Sequence, residues 1–121
     1  MRRSDIFLIY IHKLSESLRK GLPSRISKGD LSSLLGIDIE VSTQLSLSAL
    51  SMSTVSLRAE QIFLLGLSLA QQAYIHNSKE TAEKAVLLLL AAAETMPSLE
   101  GPALVEILRA LLSIKQQKAS A

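Results

Sequence analysis

The sequence predicts an all-α domain, and three observations carry that expectation. Hydrophobic residues make up 48% of the chain and aromatics only 3%. The apolar content is mostly Leu, Ala and Ile, which favours helix packed on helix over a sandwich. Phe7, Ile11, Leu14 and Leu18 recur at the spacing of one helical face. Ala85-Val-Leu-Leu-Leu-Leu-Ala-Ala-Ala93 is nine apolar residues without a polar interruption. A helix apolar all the way round has no side for water, so this run is expected at the centre of a bundle. The expected architecture is a helical bundle of four or five helices around an antiparallel helix pair at 59–97.

A chain of 121 residues is long enough for one domain with a real core. The apolar fraction is too high and the net charge of +2 too low for a disordered chain. The chain contains no cysteine. That excludes a disulfide framework, a thiolate nucleophile and a cysteine-based zinc site, and it is compatible with a reducing compartment. The N-terminus begins like a signal peptide, but His12 and Lys13 cut short the apolar run Ile6–Ile11 and no small-residue cleavage site follows. No wholly apolar run approaches the ~20 residues of a membrane span. The expectation is a soluble, cytoplasmic protein.

Charge is unevenly spread. Residues 1–28 hold seven basic residues against two acids, whereas residues 29–97 hold three against seven. Such a split can steer an acidic partner to the N-terminus or bring two ends of one molecule together. If the basic end binds a polyanion, Arg19, Lys20, Arg25 and Lys28, with Arg2 and Arg3, are the candidates for contact with nucleic-acid phosphates or an anionic membrane surface. No helix offers the row of Arg, Lys, Asn and Gln that base readout requires.

The elements follow in order. Ser4–Lys20 reads as a first helix with Ser4 as N-cap, ended by Gly21-Leu22-Pro23. Residues 1–28 thus form a basic helix and connector. Asp30 can cap a short helical turn over Leu31–Leu35, closed by Gly36. Residues 37–53 have two readings. Ile37, Ile39, Val41, Thr43, Leu45 and Leu47 alternate with polar residues, a strand signal. Ile37, Val41, Leu45, Ala49 and Met52 also share one helical face, with Asp38 as cap. A lone strand in a helical chain leaves its edges unpaired, which favours the helix. A helix from Ala59, a turn at Asn77-Ser78-Lys79 and a helix capped by Ser78 follow, with Glu80 and Glu83 complementing its dipole. That helix ends near Pro97. Pro102 opens a last helix over 102–117, which buries Leu104, Ile107, Leu108 and Leu111.

Two stretches carry almost no charge. Val41–Leu57 has no charged residue, and Gln61–Ser78 has none apart from His76. The second has a polar stripe, Gln61, Ser68, Gln71, Gln72 and His76, but an uncharged one. Solvated helix faces normally carry Lys and Glu, and interface cores are depleted in charge. These stretches are therefore expected to face protein.

Ala59-Glu-Gln-Ile-Phe-Leu-Leu-Gly-Leu-Ser-Leu-Ala70 resembles the first helix of a tetratricopeptide repeat, through Ile62, Leu65-Gly66 and Leu69. Ala85, Leu89, Ala92 and Pro97 match the second helix of that family. The connection from Gly66 to Ala85 is longer than the repeat's, and no second copy is evident. Three or more repeats usually make an independent array, so one hairpin wrapped by other helices is expected. The resemblance implies that the first helix binds a peptide or helix on its concave face. The matching positions are Glu60, Phe63, Leu67 and Ala70, with Gln71 and Tyr74 beyond. Bacterial secretion chaperones are among the small helical proteins with such isolated repeats.

Catalytic chemistry is not evident. His12 and His76 have no second histidine at ligand spacing within their helices. There is no phosphate-binding loop, dinucleotide fingerprint or Gly-x-Ser-x-Gly elbow. The expectation is a non-enzymatic protein-binding adaptor or chaperone that covers an apolar helix or strand of another chain, with no cofactor, metal or small-molecule substrate. The rivals are a polyanion binder and a self-assembling structural protein forming a homo-oligomer.

Overall fold

A computed structural model describes residues 3–20, 26–95 and 101–116. Among the described residues the chain forms seven helices and no strand. They are α1 (Arg3–Arg19), α2 (Lys28–Leu35), α3 (Ile39–Gln44), α4 (Leu47–Ser53), α5 (Ala59–His76), α6 (Lys79–Thr95) and α7 (Gly101–Gln116). The all-helical class is as expected. The count exceeds four or five because the connection between α1 and α5 folds into three short helices.

α1 places Phe7, Ile11, Leu14 and Leu18 in the core, as its spacing predicts. Gly21, Leu22 and Pro23, expected to end it, lie outside the described residues. α2 starts earlier than expected. Its N-cap is Ser27, whose Oγ accepts from the Asp30 N–H at 3.0 Å, so Asp30 sits inside the first turn. Gly36 closes α2 in the left-handed region at φ 72°, a conformation that glycine adopts without strain.

The ambiguous segment is helical but broken. Asp38 caps α3 by accepting from the Glu40 and Val41 N–H groups. Leu45 then turns extended, with ψ at 147°. Ser46 caps α4 through the Ala49 N–H. The buried face differs from the expected one on both sides of the break. Ile39, Ser42 and Leu50 point into the core, whereas Val41 and Met52, expected inside, are exposed.

The centre of the molecule is α5 rather than α6. Eleven consecutive residues, Phe63–Ala73, are buried, about three turns with no side open to water. α5 packs against α6, α1, α7, α3 and α2, while α7 also packs against α1 and α6. The long apolar run of α6 is not wholly interior, because Leu87, Leu90 and Ala91 face outward.

Asn77, left-handed at φ 50°, ends α5, and Ser78 Oγ accepts from the Thr81 N–H at the start of α6. With so short a turn the two helices run antiparallel, and Gly66 lets them close. A Cβ on Gly66 would lie 3.0 Å from Leu89 Cδ2 and Cγ and 3.3 Å from Leu88 Cβ. α7 buries Leu104, Ile107 and Leu111, with Leu108 half-buried. The expected end of α6 at Pro97 lies outside the described residues.

Candidate functional site

The face implied by the repeat resemblance lies inside the molecule. Phe63, Leu67 and Ala70 are 0% exposed. Gln71 is also buried, and its Oε1 has no hydrogen-bond partner. Glu60 and Tyr74 are half-buried at the margins, and the Tyr74 hydroxyl reaches the Ile107 carbonyl oxygen at 3.4 Å. Burial pushes the Tyr74 phenol up to about 12. The six positions share one helix, but the chain's own helices cover its middle. That is a correction to the expected open face. The charge depletion of 61–78 does mark a protein-facing helix, and the protein it faces is its own chain. Ser68 satisfies itself there by donating to the Leu64 carbonyl oxygen at 2.8 Å.

The other charge-free stretch behaves differently. Residues 41–57 run over the surface as the end of α3, α4 and the turn that follows. Val41 is half exposed, Met52 is 77% exposed and Val55 is 82% exposed. The underside is anchored by Leu50 and by Thr54, whose hydroxyl donates to the Ser51 carbonyl oxygen. The segment is fixed to α6 by Lys84, whose Nζ donates to the Thr43 carbonyl oxygen at 2.6 Å. Short serine and threonine side chains surround the exposed apolar groups, and several hydroxyls are turned back onto their own helices, as in Thr43 to Glu40 and Ser53 to Leu50. The segment carries no charge of its own, unlike ordinary solvated helix faces, although Glu80 and Glu83 of α6 share a groove with Leu45 and Leu47.

The basic candidates are partly neutralised. Arg19 lies 2.9 Å from Glu16 and Lys20 3.8 Å from the same carboxylate, while Lys28 lies 3.7 Å from Glu40. The Arg19 guanidinium, through its hydrogen bond, holds the Glu16 carboxyl below its usual range. Arg25 lies outside the described residues.

A shallow polar cleft of about 270 Å³ lies near the α5–α6 turn, between Lys28, Glu40, Gln72, His76 and Glu80. No group of three or more His, Cys, Asp or Glu residues able to hold a metal ion occurs among the described residues. No helix among them is long and apolar enough to cross a membrane.

Compared with protein-family models, with curated proteins and with solved structures, the chain matches none.

Proposed function

We propose that the chain is a non-enzymatic protein-binding module, an adaptor or chaperone, that covers an apolar helix or strand of a partner chain. One observation carries this reading: the charge-free segment 41–57, on which Met52 and Val55 are largely open to solvent. Methionine is unbranched and polarisable, and it adapts to differently shaped apolar partners. The absence of charge removes the desolvation cost that Lys or Glu would impose on a buried contact. The Lys84–Thr43 bond and the caps Asp38 and Ser46 hold the surface in a fixed shape, which lowers the ordering cost of binding. The tetratricopeptide-like hairpin serves in this reading as the rigid support, its inner face filled by the chain's own helices. A polyanion surface has less support, because Arg19, Lys20 and Lys28 each stand against a carboxylate.

The test is photo-crosslinking in the expressing cell. A photoreactive residue at Val55 is compared with one at Ser113, exposed on α7. Discrete heavier species from position 55, absent from 113 and lost on Met52→Glu, are expected. No species from position 55, or the same species from both positions, sinks the reading.

A further inference from the structure

The polar cleft beside the α5–α6 turn holds a buried group that the fold leaves unused. Gln72 lines the cleft, is only 6% exposed and has no hydrogen-bond partner among the described residues. A buried carboxamide is ordinarily paired, because burial alone forfeits the hydrogen bonds it made to water. Thr81 lines the same cleft and is also buried. Its Oγ1 accepts from the Ser78 hydroxyl at 3.0 Å, while Ser78 Oγ accepts from the Thr81 N–H. The Thr81 hydroxyl hydrogen is thus left for an acceptor outside the pair.

The start of α6 borders the same space, since its cap Ser78 and its first-turn residues Glu80 and Thr81 line the cleft. α6 is 17 residues long, and the N–H groups and positive dipole end of such a helix favour an anion. Lys28 adds a full positive charge on the lining, and Glu40 and Glu80 oppose it with two carboxylates. Lys28 and Glu40 lie 3.7 Å apart, beyond hydrogen-bond length, so each keeps the capacity to bond a ligand. A bare anion would meet the two carboxylates. A bare cation would meet Lys28 and the helix end. A molecule that carries both charges close together satisfies both sets. The volume of about 270 Å³ admits such a molecule with a small side chain.

We infer that the cleft binds a free α-amino acid. Its carboxylate is held by Lys28, Gln72 and Thr81 at the start of α6, and its ammonium by Glu40 and Glu80. The site draws on α2, α3, α5 and α6 and uses neither Met52 nor Val55, so it is independent of the partner surface proposed above.

Titration of the whole chain, followed by amide NMR, tests the site. The probes are the natural L-amino acids one at a time, with sodium acetate and methylammonium chloride as the two separate charges. At least one amino acid should give a saturable shift at the Gln72 side-chain amide and at the first N–H groups of α6, half-complete below about 10 mM. Acetate and methylammonium each lack one charged contact and should bind at least about tenfold more weakly. Gln72→Leu keeps the buried volume without the carboxamide and should weaken the same amino acid about tenfold, read at the α6 N–H groups. Glu40→Gln, at an exposed position, should weaken it similarly and carries the test if Gln72→Leu fails to fold by circular dichroism. Met52→Glu should leave binding unchanged. No saturable shift from any amino acid, acetate binding as tightly as the amino acid, or full affinity in the folded Gln72→Leu or Glu40→Gln chain overturns the inference.

Discussion

Lys84 Nζ lies 2.6 Å from the carbonyl oxygen of Thr43, forty-one residues earlier in the chain. This bond ties the short helices α3 and α4 to the α5–α6 hairpin. Lys84 is only 6% exposed. Its charge is therefore held at the end of a stem packed along α6, and the last carbonyls of α3 supply the negative end of a helix for it.

Lys84→Met keeps the packed stem and removes the donor. A hydrogen bond to a charged group is worth about 1.5–3 kcal/mol. The loss should be local. Hydrogen exchange should speed up at α3 and α4 and stay slow in the middle of α5, because α5 has its own apolar cover. Uniform loosening of every helix would show that the bond does not act as a separate tie.

Leu67→Glu separates the covered face from the open one. Leu67 is fully buried, so the variant places an unpaired carboxylate in the core. A cost of about 4 kcal/mol or more is expected, enough to unfold much of a domain of ordinary stability. Met52→Glu, at an exposed position, should change stability by less than about 0.5 kcal/mol. Urea unfolding followed by circular dichroism measures both. A folded, equally stable Leu67→Glu chain would mean that α5 is not the central helix.

Gly66 and Leu89 should be energetically coupled. Gly66→Ala gains about 1 kcal/mol of helix propensity. The new methyl would crowd buried Leu89 at 3.0 Å and Leu88 Cβ at 3.3 Å, and these atoms must give by a few tenths of an ångström to admit it. Overpacking of this kind costs about 1–3 kcal/mol, so a net loss is expected. Leu89→Ala alone leaves a cavity costing about 2–5 kcal/mol. In the double variant the Gly66→Ala methyl occupies part of that space, and the loss should fall short of the sum by about 1 kcal/mol. Strict additivity in thermal melts would place the two helices farther apart than the geometry requires.

These particulars also show what was legible in the chain. The face of α1, the turn at Asn77-Ser78 and the buried stripe of α7 follow from local spacing, and local spacing decided them. The central helix did not follow from the longest apolar run. α5 carries Ser68, Gln71 and Gln72 in its buried stretch, and only its lack of charge betrayed that all its sides are covered. That same lack of charge in 41–57 has the opposite outcome, because α4 is a single short layer with only Leu50 and Thr54 turned inward. Residues 37–53 misled through one torsion. Extended Leu45 restarts the helix at Ser46 and rotates Met52 outward, and the only sequence signal for that restart is Ser46 itself, one serine among many. The pairing of Lys84 with Thr43 spans too much chain for any periodicity to reveal.

Tyr74 makes the fold sensitive to alkali. Its hydroxyl is half-buried between α5 and α7, where burial raises its ionisation from 10.0 to about 12. The folded chain therefore keeps this proton at a pH where the unfolded chain has released it. Stability tied to Tyr74 is fully present below about pH 10, falls as pH rises, and is lost by about pH 12. Tyr74→Phe removes the ionisable group and keeps the ring. At neutral pH it should cost less than about 1 kcal/mol, since the bond to Ile107 is long at 3.4 Å. Between pH 10 and 12 the variant should lose less stability than the natural chain, measured by urea unfolding at each pH. Lysines titrating in the same range act on both chains alike, so the difference between them isolates Tyr74. Parallel losses in the two chains would show that the phenol is not held away from water.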